Sequence, residues 1–398
     1  MNVDILLIGS GNMGRGYLEA ARHLGLQVAV IETETRIGTI RSEFADVVTA
    51  HEVVDPAAAE HDEAWVGPAL TLARRTAPRG VLGFSETHVV ASALVADELR
   101  LPGPGMYAAQ ASRNKALQRQ LYGLAGVPQP SSRIVPALTL EPQPCLPVVL
   151  KPFSGAGSHG VEQVPDETAW RDAVARTAGI GPLLIEDYAT GDEYSWEALL
   201  LGGQVLFTNL TAKTTTGPPH FVELLHRPVI GEAGHCLRDQ ADQLGARVVS
   251  ALRARDGMVH LEFRRASDGS VAVMETAVRT PGDYLMDVVS QAHGVDLYAA
   301  CLLIALGEKP KLLHRELRYT ASLYLAAECA GTAVPDDASR LNAVQGVFRS
   351  GLCRPPGSGA GPPESSADRM AFALLNLPCE KALDEAVRQA RRAFAKDG

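Results

Sequence analysis

The sequence predicts a mixed α/β and α+β fold, in which a doubly wound parallel unit leads a longer region of hairpins. Strand-length apolar runs alternate with helical stretches through roughly the first hundred residues, the pattern of a parallel sheet covered on both faces. After the break Pro102-Gly103-Pro104-Gly105 the texture changes to short strands joined by tight turns. A chain of 398 residues also exceeds one ordinary core.

In the leading unit, Val3–Ile8 reads as a strand that runs into a glycine turn at Gly9–Gly14, followed by a helix over Tyr17–Leu24 and a second strand over Val28–Ile31. Val81–Phe84 and the helical stretch Val89–Leu99 repeat the unit. A polar helix over Arg113–Ala125, closed by Gly126 and Pro128, precedes a proline-rich connector, Pro136–Pro147. Strands are then expected at Val148–Lys151, Leu183–Glu186, Ser195–Leu201, Gln204–Leu210, Val259–Arg264 and Val271–Glu275. Asp268-Gly269 is a hairpin signal between the last two. From about residue 316 come more strand-like pieces, a low-complexity loop at Arg354–Pro363 and an amphipathic helix over Lys381–Lys396. The expected division is 1–105, 106–315 and 316–398.

A formal charge of -9 argues against nucleic acid as the main partner, because phosphate binding wants a basic face. The N-terminus lacks a signal peptide's basic segment. The apolar run Leu297–Leu306 is shorter than the roughly 20 residues a bilayer span needs. The expectation is a cytoplasmic protein with no membrane partner. Six scattered cysteines without a C-x-x-C pair read as reduced core thiols.

Gly9-Ser10-Gly11-Asn12-Met13-Gly14 fits G-x-G-x-x-G between a strand and a helix, and Glu32 ends the next strand. A dinucleotide site uses such glycines for close approach to pyrophosphate and such an acid for ribose hydroxyls. The competing reading is a tight strand-to-helix turn that favours glycine for its own geometry.

Lys151-Pro152 leads into Phe153-Ser154-Gly155-Ala156-Gly157-Ser158-His159-Gly160. A glycine/serine loop can turn several backbone N–H groups toward phosphate oxygens, although the lysine here precedes the loop, unlike a P-loop. The strand ending Glu186-Asp187-Tyr188, with Glu193 beyond it, could present backbone to a purine and a carboxylate to ribose.

Pairing of strands about Asp268-Gly269 places Glu262 opposite Glu275 on one face. Like charges set opposite each other are unfavourable unless a cation lies between them. Paired hard oxygens are what magnesium takes. Arg279 follows Glu275 by four residues, Gly282-Asp283 opens the next turn, and a fixed guanidinium there suits phosphoryl or carboxylate oxygens.

This order of signals resembles the ATP-grasp superfamily, specifically its L-amino-acid ligase branch, which forms dipeptides. The resemblance runs from a Rossmann-like leading domain through about residue 315 and into a small C-terminal domain. It implies an ATP-grasp domain of linker helix, lid subdomain and metal-binding subdomain. Lys115 resembles the family's first ATP lysine, Lys151 the second, and Ser154–Gly160, with Ser154, Gly155, Gly157 and Ser158, the lid loop. Glu186, Asp187 and Tyr188 resemble the adenine hinge and Glu193 the ribose acid. Glu262 and Glu275 resemble the metal ligands, and Arg279 the arginine that holds the transferred phosphoryl group and reacting carboxylate. Glu223-Leu224-Leu225-His226 matches a Glu-x-x-His segment of the amino-acid pocket, and Gly282, in the turn after Arg279, is expected to bind substrate with Glu223, His226 and Arg279. One departure stands out: where many relatives carry a second ligand, Glu275-Thr276-Ala277-Val278-Arg279 has Ala277.

The resemblance implies an ATP- and Mg2+-dependent enzyme, with Mn2+ as a substitute, joining small carboxylate and amine substrates of the amino-acid class. Homodimerisation is common in that family. Carboxylation of a purine precursor, a nicotinamide oxidoreductase using Gly9–Gly14, and a non-catalytic nucleotide-binding regulator are the alternatives.

Overall fold

The computed structural model describes residues 3–11, 13–140, 144–155, 157–231, 234–313 and 316–395. Asn12 of the glycine turn, Ala156 of the lid loop, the middle of the proline-rich connector, the boundary at 315 and Lys396 lie outside the described residues.

The leading unit is a parallel four-stranded sheet in the order Val48–Val54, Val28–Thr33, Ile5–Ile8, Gly80–Gly83. Alternation sorts its side chains between two cores. Ile5, Leu7, Val28 and Val30 pack with Tyr17 and Leu18 of the helix Arg15–Leu24. Leu6, Ile8, Ala29 and Ile31 pack with Trp65, Ala69 and Leu72 of the helix Glu63–Thr76. The edge strand Val48–Val54 escapes sequence reading because its side is half solvated and carries Thr49, His51 and Glu52 among the valines.

The body of the molecule is an antiparallel eight-stranded sheet. Its strands run Val271–Ala277, Gly257–Arg265, Asp192–Leu201, Gln204–Thr215, Glu223–Pro228, Tyr319–Leu325, Ala371–Leu377, Val347–Leu352. The strands beyond residue 316 continue this sheet, so the boundary expected there falls inside one hydrogen-bonded ladder. On one face Trp196, Ala198, Leu200, Leu261 and Phe263 meet Leu244, Val248 and Leu252 of the helix His235–Leu252. Gly245 is required there, since a Cβ would lie 2.6 Å from the Trp196 ring. The other face is apolar at one end, where Leu199, Phe207 and Met258 meet the leading unit. At its other end it is polar, with His260, Glu262 and Arg264 beside Glu193, Ser195 and Glu197. A four-stranded sheet, ordered Ser132–Val135, Leu183–Asp187, Val148–Pro152, Glu162–Val164, forms a lid over that polar end. It is backed by Trp170 and Ala173 of the helix Glu167–Arg176.

The hairpin of strands Gly257–Arg265 and Val271–Ala277 departs instructively from expectation. Near the turn Arg265 pairs with Val271 and Phe263 with Val273, one residue off the predicted register. The connection is a longer loop closed by Ala266 and Ser270, with Gly269 left-handed at φ 86°. A one-residue bulge at Met274 then restores the pairing of Glu262 with Glu275. The expected facing carboxylates are present, but the bulge puts them there.

All six cysteines are free, and only Cys301 is buried, so the reading of core thiols is corrected for the other five. Among the described residues no single helix is long and apolar enough to cross a membrane. Leu285–His293 and Leu297–Ala305 approach that composition together, but they meet at 106° and are largely buried in the core. Replacing the buried Trp196 by alanine should cost about 3–5 kcal/mol in a denaturant titration, the usual loss when a large core side chain leaves a cavity.

Candidate active site

A cleft opens between the lid sheet and the polar end of the large sheet. Glu262 and Glu275 both line it, together with Lys115, Lys151, Arg264 and Arg279. Each acid already holds an ammonium. Lys115 Nζ lies 2.8 Å from Glu275 Oε1 and donates to Gly155 O at 2.9 Å. Lys213 Nζ lies 2.8 Å from Glu262 Oε1, 3.1 Å from Glu223 and 3.2 Å from Glu193. Burial would drive the Lys213 proton off, but the three carboxylates outweigh it and raise its pKa well above the ordinary value. Oxygens of Glu193, Glu223 and Glu262 come within 4.8 Å of one another around that ammonium. Hard carboxylate oxygens on two facing residues, with cations close by for a polyphosphate, suit a divalent ion.

The lid side of the cleft is built by ion pairs. Glu186 is 2% exposed and takes Lys151 Nζ at 2.8 Å on one oxygen and the Arg119 guanidinium on the other. Burial alone would raise its pKa; Lys151 and Arg119 reverse that and hold it at about 2. Asp187 and Tyr188 line the cleft beside it. Glu193 is held by Lys213 and by Arg264, whose Nη1 also donates to Ala189 O at 2.9 Å. Gly155, Gly157 and Ser158 line the cleft, while Ser154 does not. Ser158 adopts φ 60°, the backbone region glycine usually supplies, as Gly157 does at φ 62°.

Arg279 joins the leading unit to this cleft. Its Nε donates to Glu86 Oε2, and its Nη1 donates to Thr280 O at 2.7 Å. The other Glu86 oxygen lies 2.9 Å from Arg113, which in turn makes paired 2.7 Å bonds to Asp62.

A model of the ATP-grasp domain matches residues 145–287, which hold every one of these groups except Asp62, Glu86, Arg113, Lys115 and Arg119. These residues thus carry an ATP-grasp domain. Carnosine synthase 1 of Gallus gallus is 28% identical over 388 residues, covering 88% of this chain and 40% of that protein. The chain thus spans about two fifths of carnosine synthase's length. The L-arginine-specific L-amino acid ligase of Bacillus subtilis is 21% identical over 276 residues, covering 64% of each. The L-amino acid ligase structure from Bacillus licheniformis superposes with a TM-score of 0.82 at 21% identity, covering 98% of both chains.

Within this ATP-grasp frame the glycine turn of the leading unit has a structural explanation. Two of its amides are already used: Glu32 accepts from Ser10 N at 2.9 Å and Gly11 N at 3.0 Å. Its glycines are demanded by neighbours, since a Cβ on Gly9 would lie 1.9 Å from the His88 ring and one on Gly11 2.9 Å from Phe84. The turn is filled by the chain's own carboxylate. His226 and Gly282 are placed away from the cleft lining. His226 Nε2 lies 2.9 Å from Asp283, itself gripped at 2.7 Å by Arg369. Glu223 does line the cleft.

Lys213, Arg119, Glu86 and Arg264 were not singled out by sequence. Lys213 had a signal: extending its strand to Thr215 gives Asn209, Thr211 and Lys213 one common polar face. The helix carrying Arg119 offers no comparable pattern.

The lowered pKa of Glu186 stabilises the fold above the unfolded value of 4.5, and that contribution disappears as pH falls toward about 2. Urea titrations from pH 5 downward should therefore show wild type losing more stability than Glu186→Gln across that window.

Proposed function

We propose that the protein is an ATP-dependent ligase that joins a carboxylate to an amine, both of the amino-acid class, through an acyl phosphate. The observation that carries this is the facing pair Glu262 and Glu275 in one cleft with Lys115, Lys151 and Arg279. A site so rich in fixed charge suits phosphoryl transfer, which needs positioning and charge neutralisation more than covalent help. The likeness to a carnosine synthase and to an L-arginine-specific L-amino acid ligase supports amide formation.

In this reading Glu262 and Glu275 hold Mg2+, with Mn2+ able to replace it; the ion would neutralise phosphate charge. Ala277 offers no ligand, leaving this pair as the strand donors. Lys115 and Lys151 take phosphate oxygens, with Gly155, Gly157 and Ser158 covering them. Glu186, Asp187 and Tyr188 meet adenine, and Glu193 meets ribose once Lys213 turns toward phosphate. The substrate carboxylate, oriented by Arg279, attacks the γ-phosphorus, and the bond to the ADP oxygen breaks. The amine, placed near Glu223, then attacks the activated carbonyl; His226 and Gly282 lie behind that wall rather than in the lining. Phosphate departs, the nitrogen loses a proton, and Arg279 steadies the oxyanion. Closure of the lid sheet keeps water from the acyl phosphate.

Glu275→Gln should lower turnover at least about a thousandfold while leaving the circular dichroism spectrum unchanged. Full activity in that variant would remove the metal assignment. A phosphate-release screen over pairs of amino acids, with mass detection, should find ADP and an amide product. Release that depends on bicarbonate instead would move the protein to the carboxylating branch of the fold.

A further inference from the structure

The strand carrying Glu275 is the outermost strand of the large sheet. One side of its backbone therefore lacks a neighbouring strand, and such edge groups need other partners when buried. The linker helix Lys115–Leu124 supplies them with side chains. Arg119 donates from Nη1 to Val273 O at 3.0 Å and from Nη2 to Met274 O at 2.6 Å. Gln118 accepts from Thr276 N at 2.9 Å and donates to Thr276 O at 2.9 Å, as a neighbouring strand would. Both side chains are buried, at 3% and 1% exposure. The residues gripped are those on either side of Glu275, including the bulge residue Met274.

The bulge decides where Glu275 points. Val273 faces the apolar core under the helix His235–Leu252. In an unbroken strand, residues two apart share a face, so Glu275 would follow Val273 into that core. The extra residue at Met274 turns Glu275 into the cleft, opposite Glu262. Arg119 also pairs with Glu186, which holds Lys151. One guanidinium thus touches the lid's lysine–glutamate pair and the bulge beneath the metal acid.

We propose that Gln118 and Arg119 are positioning residues: together they hold the Met274 bulge so that Glu275 faces Glu262, and Arg119 alone links this geometry to Lys151. The proposal rests on the nucleotide and metal reading above. It separates the two residues' effects. Gln118 acts only on the metal strand, whereas Arg119 acts on both sides of the nucleotide.

The test uses the full chain, Mn2+ and a non-hydrolysable ATP analogue. Electron paramagnetic resonance counts bound Mn2+, and calorimetry measures the analogue without metal. Gln118→Glu and Gln118→Met should weaken Mn2+ binding in the presence of analogue about tenfold or more, as loss of an outer-sphere partner does, with metal-free analogue binding within about twofold of wild type. Arg119→Lys should weaken both by about tenfold. Thermal melts select the variants that keep the fold, and the two Gln118 substitutions decide the matter if Arg119→Lys does not. Unchanged Mn2+ affinity in folded Gln118 variants overturns the proposal, as does equal loss of metal-free binding in them. A wild-type chain that binds the analogue but no Mn2+ overturns the metal reading itself, and the inference with it.

Discussion

A single extra residue in one strand governs the site. The bulge at Met274 lets the same strand bury Val273 in the core and present Glu275 to the cleft. Strand periodicity forbids that combination without an interruption, because a shift of one residue exchanges the two faces of a strand. The pairing of Glu275 with Lys115 follows from it.

Around that point the chain spends its buried charge in connected sets. Lys151, Glu186 and Arg119 form one; Lys213 with Glu193, Glu223 and Glu262 forms another; Asp62, Arg113, Glu86 and Arg279 form a third. Removing one member of such a set leaves an uncompensated charge. A buried pair also extends the second set: His260 lies 3.1 Å from Glu197 and 3.2 Å from Glu262, and these acids outweigh burial to raise its pKa to about 9. The three sets draw on the leading unit, the lid and the large sheet, and each places a charged side chain in the one cleft.

Much of this was readable in advance, for reasons of differing quality. The parallel leading unit and the strand carrying Lys151 announce themselves through apolar runs and glycine punctuation. Glu262 opposite Glu275 was anticipated, yet from a turn one residue too short and a strand without its bulge; the two errors cancelled. Bulges leave little trace in composition. The glycine turn reads as a cofactor motif because the same backbone demands arise when His88, Phe84 and Glu32 crowd it. Arg119 and Gln118 were invisible, since a polar residue on a helix declares nothing about the edge it will cover.

The continuity of the large sheet past residue 316 gives the C-terminal segment a protective task. Strand Tyr319–Leu325 lies along Glu223–Pro228 and is itself flanked by Ala371–Leu377. A chain ending at the apparent domain boundary would expose the backbone of Glu223–Pro228 as a raw template for foreign strands. The tail thereby guards solubility and the cleft wall with one and the same ladder.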